Sequence, residues 1–305
     1  MAKARAIVKR RKAVRNIRKI TKTMQMIATA MFQKSLKRAV ATKPYTRKVR
    51  ELVAELAASV GGEVEHPLLR QPGPEDRTGR VAMLVITSNR GLAGAYNGTV
   101  LRTASARIRE LEAAGTAIDL YVAGKKAIGF FTFQRRPITR RTDAPAMPRY
   151  ADIERLANDF IERFTSGQYD AVYVVYMNFI SAGVQKPAVL DLLPLAGVEA
   201  PAGPTTGGSG GRTASLHAET VYDFSPEPRV LLDELLPLTV RAALFQAFLD
   251  ATTSEHVARM VSMKSATDNA DKLVKALTMQ YNRARQSQIT TELSEIMGGV
   301  EAMKK

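Results

Sequence analysis

Apolar side chains recur along the first fifth of the chain at helical spacing. Ile17, Ile20, Met24, Ile27 and Met31 follow a 3-4-3-4 rhythm that keeps them on one face at about 100° per residue. The same geometry places Arg11, Arg15, Arg18 and Lys22 on nearly the opposite face. Good helix formers dominate from Ala2 to Ala41, and the pattern resumes after Pro44 with Val49, Leu52, Val53 and Leu56. Gly61 and Gly62 are expected to stop it. A helix over 3–57 would be roughly 80 Å long at about 1.5 Å per residue.

A second long pattern closes the chain. Leu232, Leu235, Leu236, Val240, Leu244 and Phe248 lead into Val257, Met260, Val261, Ala266, Ala270, Leu273, Leu277, Tyr281, Ala284, Ile289, Leu293 and Ile296. Neither proline nor glycine interrupts residues 238–297, and Gly298-Gly299 is the expected stop. Two such helices at opposite ends of one chain can cover each other's stripes as an antiparallel coiled coil, with Ala and Thr allowing close approach.

Between them the period changes. Val81–Thr87, Asp119–Val122 and Ala171–Met177 predict strands, alternating with helices near Gly98–Ala113, Lys125–Phe130 and Asp152–Phe164. The fold class is therefore α/β: a long antiparallel coiled coil of the N- and C-terminal helices with a central Rossmann-like α/β domain. The expected divisions are an N-terminal coiled-coil helix over 1–60, the α/β domain over 78–195, a flexible loop over 198–215 containing PAGPTTGGSGG, and a connector with the C-terminal helix over 220–305. Thr220–Phe224 is expected to re-enter regular structure before that helix.

Charge sharpens the picture. The first 50 residues carry 17 Lys and Arg and no acid, whereas the remaining 255 hold 28 basic and 29 acidic side chains. The net charge of +16 thus belongs to one element, which points to a large anionic partner met by one helix. Nucleic acid, an anionic membrane or an acidic protein surface would satisfy that need. A basic-zipper arrangement would set the basic segment beside the coiled coil, but here the apolar stripe runs through the basic segment itself. Neither zinc-finger spacing nor an RNA-binding aromatic signature accompanies it, which leaves nucleic-acid binding as the runner-up to a structural or mechanical assembly subunit. An arginine-rich start also suits a transit peptide, although the amphipathic pattern continues far beyond a usual presequence.

The sequence offers little for catalysis. Cysteine is absent, which removes thiolate chemistry, disulfides and Cys-containing metal sites. TSNRGLAG at 87–94 follows a strand but lacks both the GxGxxG spacing and a GK[ST] ending, so it reads as a tight turn. Asn97-Gly98-Thr99 reads as the turn that opens a helix. His66, His217 and His256 are scattered, and no GxSxG elbow occurs. No catalytic, cofactor or metal site is expected, and no run is long and apolar enough to cross a membrane.

Four segments carry a specific resemblance. ITKTMQMI at 20–27 resembles the ITKAMEMV segment of ATP synthase gamma chains, and ITSNRGLAGAYN at 86–97 resembles their ITSDRGLCGGLN segment. SEHVARMVSMKSATDNADKL at 254–273 and YNRARQSQITTELSEIMGG at 281–299 resemble nearly unbroken signatures of that family. The similarity runs over the whole chain. It implies the rotary shaft of the F1 sector, coupling transmembrane ion flow to ATP synthesis or hydrolysis on catalytic beta subunits, with no catalytic site of its own.

The resemblance further implies partners: the F1 alpha and beta subunits, the epsilon subunit, the ring of c subunits and other F-type ATP synthase subunits, with no nucleic acid expected. It implies a peripheral place on the cytoplasmic side of a bacterial cell membrane. Met24 matches a shaft position near the moving contact, and the alternative for it is ordinary coiled-coil packing. Arg259, Gln286 and Thr290 match positions that contact beta subunits in relatives, the alternative being solvent-facing helix residues. Departures occur at Asn89, Ala93 and Ala95, which replace the common Asp, Cys and Gly. Ser225 stands where many bacterial relatives carry Glu, which puts a charge-dependent contact there in doubt.

Overall fold

A computed structural model describes residues 2–59, 66–69, 73, 77–195 and 228–303. The Gly61-Gly62 stop, the 198–215 loop, the 220–224 segment and Ser225 lie outside the described residues. Two helices account for nearly half of the chain. Helix α1 runs Ala2–Ser59 and contains Pro44. The chain's last helix, α5, runs Pro228–Met303 and contains Pro237. It also passes through Gly298 and Gly299, where the sequence suggested a stop. Glycine weakens a helix interior by about 1 kcal/mol without forbidding it.

The middle forms a five-stranded sheet. Its strands are β1 Arg80–Ile86, β2 Ala117–Ala123, β3 Arg140–Thr142, β4 Ala171–Phe179 and β5 Gln185–Leu193, in the order β3-β2-β1-β4-β5. β1 pairs parallel with β2 and β4, β2 pairs parallel with β3, and β5 closes the other edge antiparallel to β4. Helices α2 (Tyr96–Ala113), α3 (Lys125–Phe133) and α4 (Tyr150–Thr165) make the crossovers. The central position of β1 explains its composition. Six of its seven residues are buried, as a strand covered on both faces requires.

Both edges escaped the sequence pattern. β3 has three residues, two of them arginine, and β5 carries Pro187 and a mixed burial pattern. Short, charged or proline-bearing strands suit edges because they blunt pairing with other chains. The same properties erase a clean alternation.

The chain divides into two compact units. One comprises Met1–Gln33, Leu92–Gly94 and His256–Lys305; the other comprises Lys34–Gly91 and Ala95–Glu255. In the second, sheet-bearing unit, one sheet face contributes Ala82, Leu84, Ile86, Tyr121, Val172 and Val174 to the main core. Ile153, Leu156, Ala157, Phe160 and Phe164 of α4 join it at helical spacing, as do Leu236, Val240, Leu244 and Phe248 of α5 and Val53 and Leu56 of α1. The inner ends of both long helices are therefore built into the sheet's hydrophobic core. Helix α2 packs against β1, β2, β4 and β5, and α3 packs against β2.

In the other unit the two long helices pack on each other. On α1 the buried positions are Val14, Thr21 and Ala28, seven residues apart. On α5 the matching seam positions are Met263, Thr267, Ala270 and Leu277, with Val274 and Tyr281 half-buried between and beyond them; His256, Val257 and Arg259 are buried nearer the start of this stretch. This alternation of four and three is a coiled-coil seam. Val14 packs with Ala270 and Leu277, and Ile7 and Val274 join them. Arg11 lies over the Tyr281 ring at 5.0 Å, Arg18 pairs with Asp271, and Thr21 bonds Thr267. As α1 residue numbers rise, those of their α5 partners fall, so the helices run antiparallel.

Candidate functional site

The turn after β1 is the first place to seek chemistry, because β1 is where the strand order reverses and such crevices commonly hold ligands. Here the polar atoms are committed to the fold. Thr87 Oγ1 donates to Ala123 O at 3.1 Å and accepts from the Ala127 amide at 3.0 Å. The Ser88 amide donates to Asn97 Oδ1 at 3.0 Å, and Ser88 Oγ lies 2.6 Å from Arg90 O. Asn89 Nδ2 donates to Ala144 O at 2.8 Å, while its Oδ1 accepts from the Lys125 amide at 3.1 Å. Asn97 stands in the first turn of α2.

Gly124 completes this knot. Its φ is +98°, and a Cβ there would run into the Thr87 carbonyl oxygen. The backbone of β2's end therefore approaches β1's end closer than any side chain permits. This geometry makes the TSNRGLAG segment a structural turn. Asparagine at position 89 serves it well, since its amide both donates and accepts.

His66 has a comparable role. Its Nδ1 accepts from the Leu68 amide at 3.0 Å, and its Nε2 lies 3.5 Å from Asp233 of α5. Burial pushes the His66 pKa down, with Asp233 opposing. The ring thus anchors a short segment whose Leu68 enters the main core. Among the described residues no group of three or more His, Cys, Asp or Glu is placed to hold a metal ion.

The coiled-coil unit corrects the expected facing of α1. Ile17, Ile20 and Ile27 are 53%, 59% and 59% exposed, whereas the stripe they form was expected to pack against the second helix. The seam instead uses Val14, Thr21 and Ala28. Small residues let two backbones approach, and the larger isoleucines are displaced outward. Two of the four cations expected on the far side flank the seam: Arg11 and Arg18 are the residues that reach Tyr281 and Asp271. Arg15 and Lys22 remain exposed with the isoleucines. The outer surface of α1 is consequently both apolar and cationic.

All four candidate contact residues belong to this unit. Met24 is half-buried on α1, and Arg259 is buried on α5. Gln286 and Thr290 are exposed one turn apart on α5, and Thr290 Oγ1 donates to Gln286 O at 3.0 Å. The end of the α5 stripe, expected to be covered by the other helix, is exposed instead: Ile289, Leu293 and Ile296, with Met297, are between 56% and 66% exposed. Continuing the seam pairing brings the first turn of α1 opposite about residue 290. The last three turns of α5 therefore have no α1 residue facing them.

Two long helices paired as an antiparallel coiled coil, with their inner ends built into a mixed α/β sheet unit, define the class of protein. The family described as ATP synthase matches residues 3–303. The ATP synthase gamma chain of Rhodopirellula baltica is 41% identical over 305 residues, covering 100% of both chains. That of Gemmatimonas aurantiaca is 38% identical over 307 residues, again covering 100% of both. Among solved structures, a chain of the Euglena gracilis mitochondrial ATP synthase rotor in rotational state 1 aligns with a TM-score of 0.60 at 18% identity, covering 94% of this chain and 99% of that one. A chain of the same enzyme's OSCP/F1/c-ring assembly in rotational state 3 gives 0.62 at 18% identity, covering 99% and 95%.

The chain belongs to the ATP synthase gamma-chain family. It is a rotary-shaft subunit that couples to catalytic beta subunits and is itself non-catalytic. Among the described residues no helix is long and apolar enough to cross a membrane.

Proposed function

We propose that the outer surface of α1 and the exposed length of α5 are the faces this shaft turns against the catalytic subunits of an alpha-beta hexamer. One observation carries the reading: on a helix whose seam face is already occupied by α5, Ile17, Ile20 and Ile27 stay exposed on one flank while Arg15 and Lys22 stay exposed on the other. Apolar side chains give weak, non-directional contact that slides, and exposed cations attract acidic segments with only about 0 to 1 kcal/mol per pair. Contacts of that strength can be made and broken in each turn. Met24 supplies a flexible apolar side chain at this surface. Arg259, Gln286 and Thr290 supply the polar contacts to beta subunits.

The sheet-bearing unit, with the inner ends of both helices, forms the foot that engages the epsilon subunit and the c-subunit ring. Ion flow through that ring turns the foot, and the coiled coil presents successive faces to three catalytic sites. The differential contacts shift each site among conformations, so the coupling is a free energy expressed through geometry. The subunit sits peripherally on the cytoplasmic side of a bacterial cell membrane.

The test is reconstitution of the whole synthase in sealed vesicles, with ATP hydrolysis and ion pumping measured together. Charge reversal at Arg15 and Lys22 with Ile20→Asp should lower pumping per ATP while hydrolysis persists. Direct imaging of the complex should place α1 and α5 inside the hexamer. A complex with this chain elsewhere overturns the reading.

A further inference from the structure

Lys43, Phe179, Gln246 and Asp250 meet inside the sheet-bearing unit, where α1, the end of β4 and α5 come together. Lys43 Nζ donates to the Phe179 carbonyl at 3.0 Å. It also lies 3.7 Å from Asp250 Oδ1 and 5.8 Å from the centre of the Phe179 ring. Asp250 is 4% exposed, and its carboxylate accepts from Gln246 Nε2 at 2.9 Å. One turn further along α5, Ser254 Oγ donates to Met177 O at 3.3 Å. The last residues of β4 are thus held from both long helices at once.

This is a costly way to join three elements. A carboxylate in the interior loses most of its hydration, and Gln246 Oε1 is buried without a partner among the described residues. Burial raises the Asp250 pKa to about 6, with attraction to Lys43 and the bonds from Gln246 and Lys43 opposing. Lys43 is the charged group acting on Asp250; on β4 the Phe179 carbonyl accepts from Lys43, and on α5 Gln246 donates to Asp250. Well-packed apolar residues would hold these elements together at least as firmly. An ion pair adds something they lack, namely one preferred geometry that resists sliding. The neighbouring Pro44 removes the amide that would brace α1 against the carbonyl of Val40. The pair therefore ties α1 down next to a weak point of its own ladder.

We propose that Lys43 and Asp250, seated on the end of β4, form a torque clamp through which load taken up by the sheet is passed to α1 and α5 together. They are positioning residues for coupling, and the inference rests on the rotary-shaft reading above. Loss of the clamp lets the sheet and the helices slip under load. Hydrolysis at the beta subunits continues because the clamp touches no reacting group.

Whole synthase carrying Lys43→Met, Lys43→Arg, Asp250→Asn or the double change Lys43→Met with Asp250→Leu is reconstituted in sealed vesicles. ATP hydrolysis and ion pumping are measured on the same preparation. Lys43→Met and Asp250→Asn should lower pumping per ATP by about 2- to 30-fold, the range in which single residues modulate coupling. Lys43→Arg, which keeps the charge, should restore most of the ratio. The double variant leaves no buried charge unpaired, so it should assemble even where Lys43→Met does not, and it should still couple poorly. A wild-type pumping ratio in the double variant overturns the clamp, as does equal impairment by Lys43→Arg and Lys43→Met. Should the unaltered chain itself fail to restore coupled pumping, the shaft reading fails, and that outcome is distinct from a clamp defect.

Discussion

Thr21 Oγ1 of α1 and Thr267 Oγ1 of α5 lie 2.8 Å apart inside the coiled-coil seam, joining residues 246 positions apart in sequence. Thr21 also lies 3.1 Å from Arg18 O and Thr267 2.8 Å from Met263 O, so each hydroxyl is satisfied with or without the other. The pair fixes register more than it adds strength, as a single polar contact in an apolar seam does. Thr267→Ala should cost about 1 to 2 kcal/mol, through one lost bond and one lost methyl. Thr21→Val with Thr267→Val should stay within about 0.5 kcal/mol of the parent, because no buried partner is orphaned. Urea unfolding of the parent, Thr21→Val, Thr267→Val and the double variant measures the coupling, and strict additivity would remove the register role.

Gly124→Ala should be among the most damaging single-atom-group additions in the chain. Its new Cβ would meet the Thr87 carbonyl, a backbone atom that cannot swing away, and its φ of +98° is itself strained for any other residue. A loss of about 3 kcal/mol or more is expected. Gly98→Ala, with nothing within 4 Å of its added carbon, should be neutral or slightly stabilising in the same unfolding experiment.

Asp250 gives a signed pH dependence. Its folded pKa of about 6 lies above the ordinary 3.8, so the folded chain holds the proton more tightly than the unfolded one. Stability from this group is then present at low pH and is lost as pH rises from about 4 to about 6, by roughly 3 kcal/mol. Arg-paired carboxylates such as Glu112 are held below their usual range by hydrogen bonds from Arg136, and they act in the opposite direction. Comparing wild type with Asp250→Asn removes those shared contributions. The stability difference between the two should move toward the Asn variant by that amount between pH 4 and 7, and an unchanging difference would refute the assignment.

Ile20→Asn and Ile27→Asn should leave folding stability within about 0.5 kcal/mol, since both side chains are already largely in water. Were they the helix–helix stripe that their spacing suggests, each would cost about 2 to 5 kcal/mol. Thermal unfolding separates the two outcomes. In reconstituted synthase the same substitutions should reduce pumping per ATP, as should Met24→Lys and Arg259→Ala. An unchanged ratio across Met24 and Arg259 would defeat their contact roles.

The sequence by itself determined a great deal, because periodicity and turn chemistry are local. Long runs of helix formers set α1 and α5 in spite of Pro44 and Pro237, and the buried run Val81–Ile86 marks β1. The strand-to-helix turn at Thr87 is equally readable from its residues. Helix α4 is the clearest case, with Ile153, Leu156, Phe160 and Phe164 on one side and Asp152 and Arg155 paired on the other.

The tertiary structure decided which face of α1 is the inside. Spacing shows that Ile17, Ile20 and Ile27 share a side, but the seam was taken by Val14, Thr21 and Ala28. Close backbone approach favours small side chains, and what counts as buried depends on a partner more than two hundred residues away. The Lys43–Asp250 pair is hidden for the same reason: one lysine among 17 basic residues in the first 50 carries no local mark of the carboxylate it will meet. Edge strands β3 and β5 likewise exist through the neighbours they pair with, since hydrogen bonding along a sheet is supplied by other strands and leaves little trace in a three-residue arginine-rich segment.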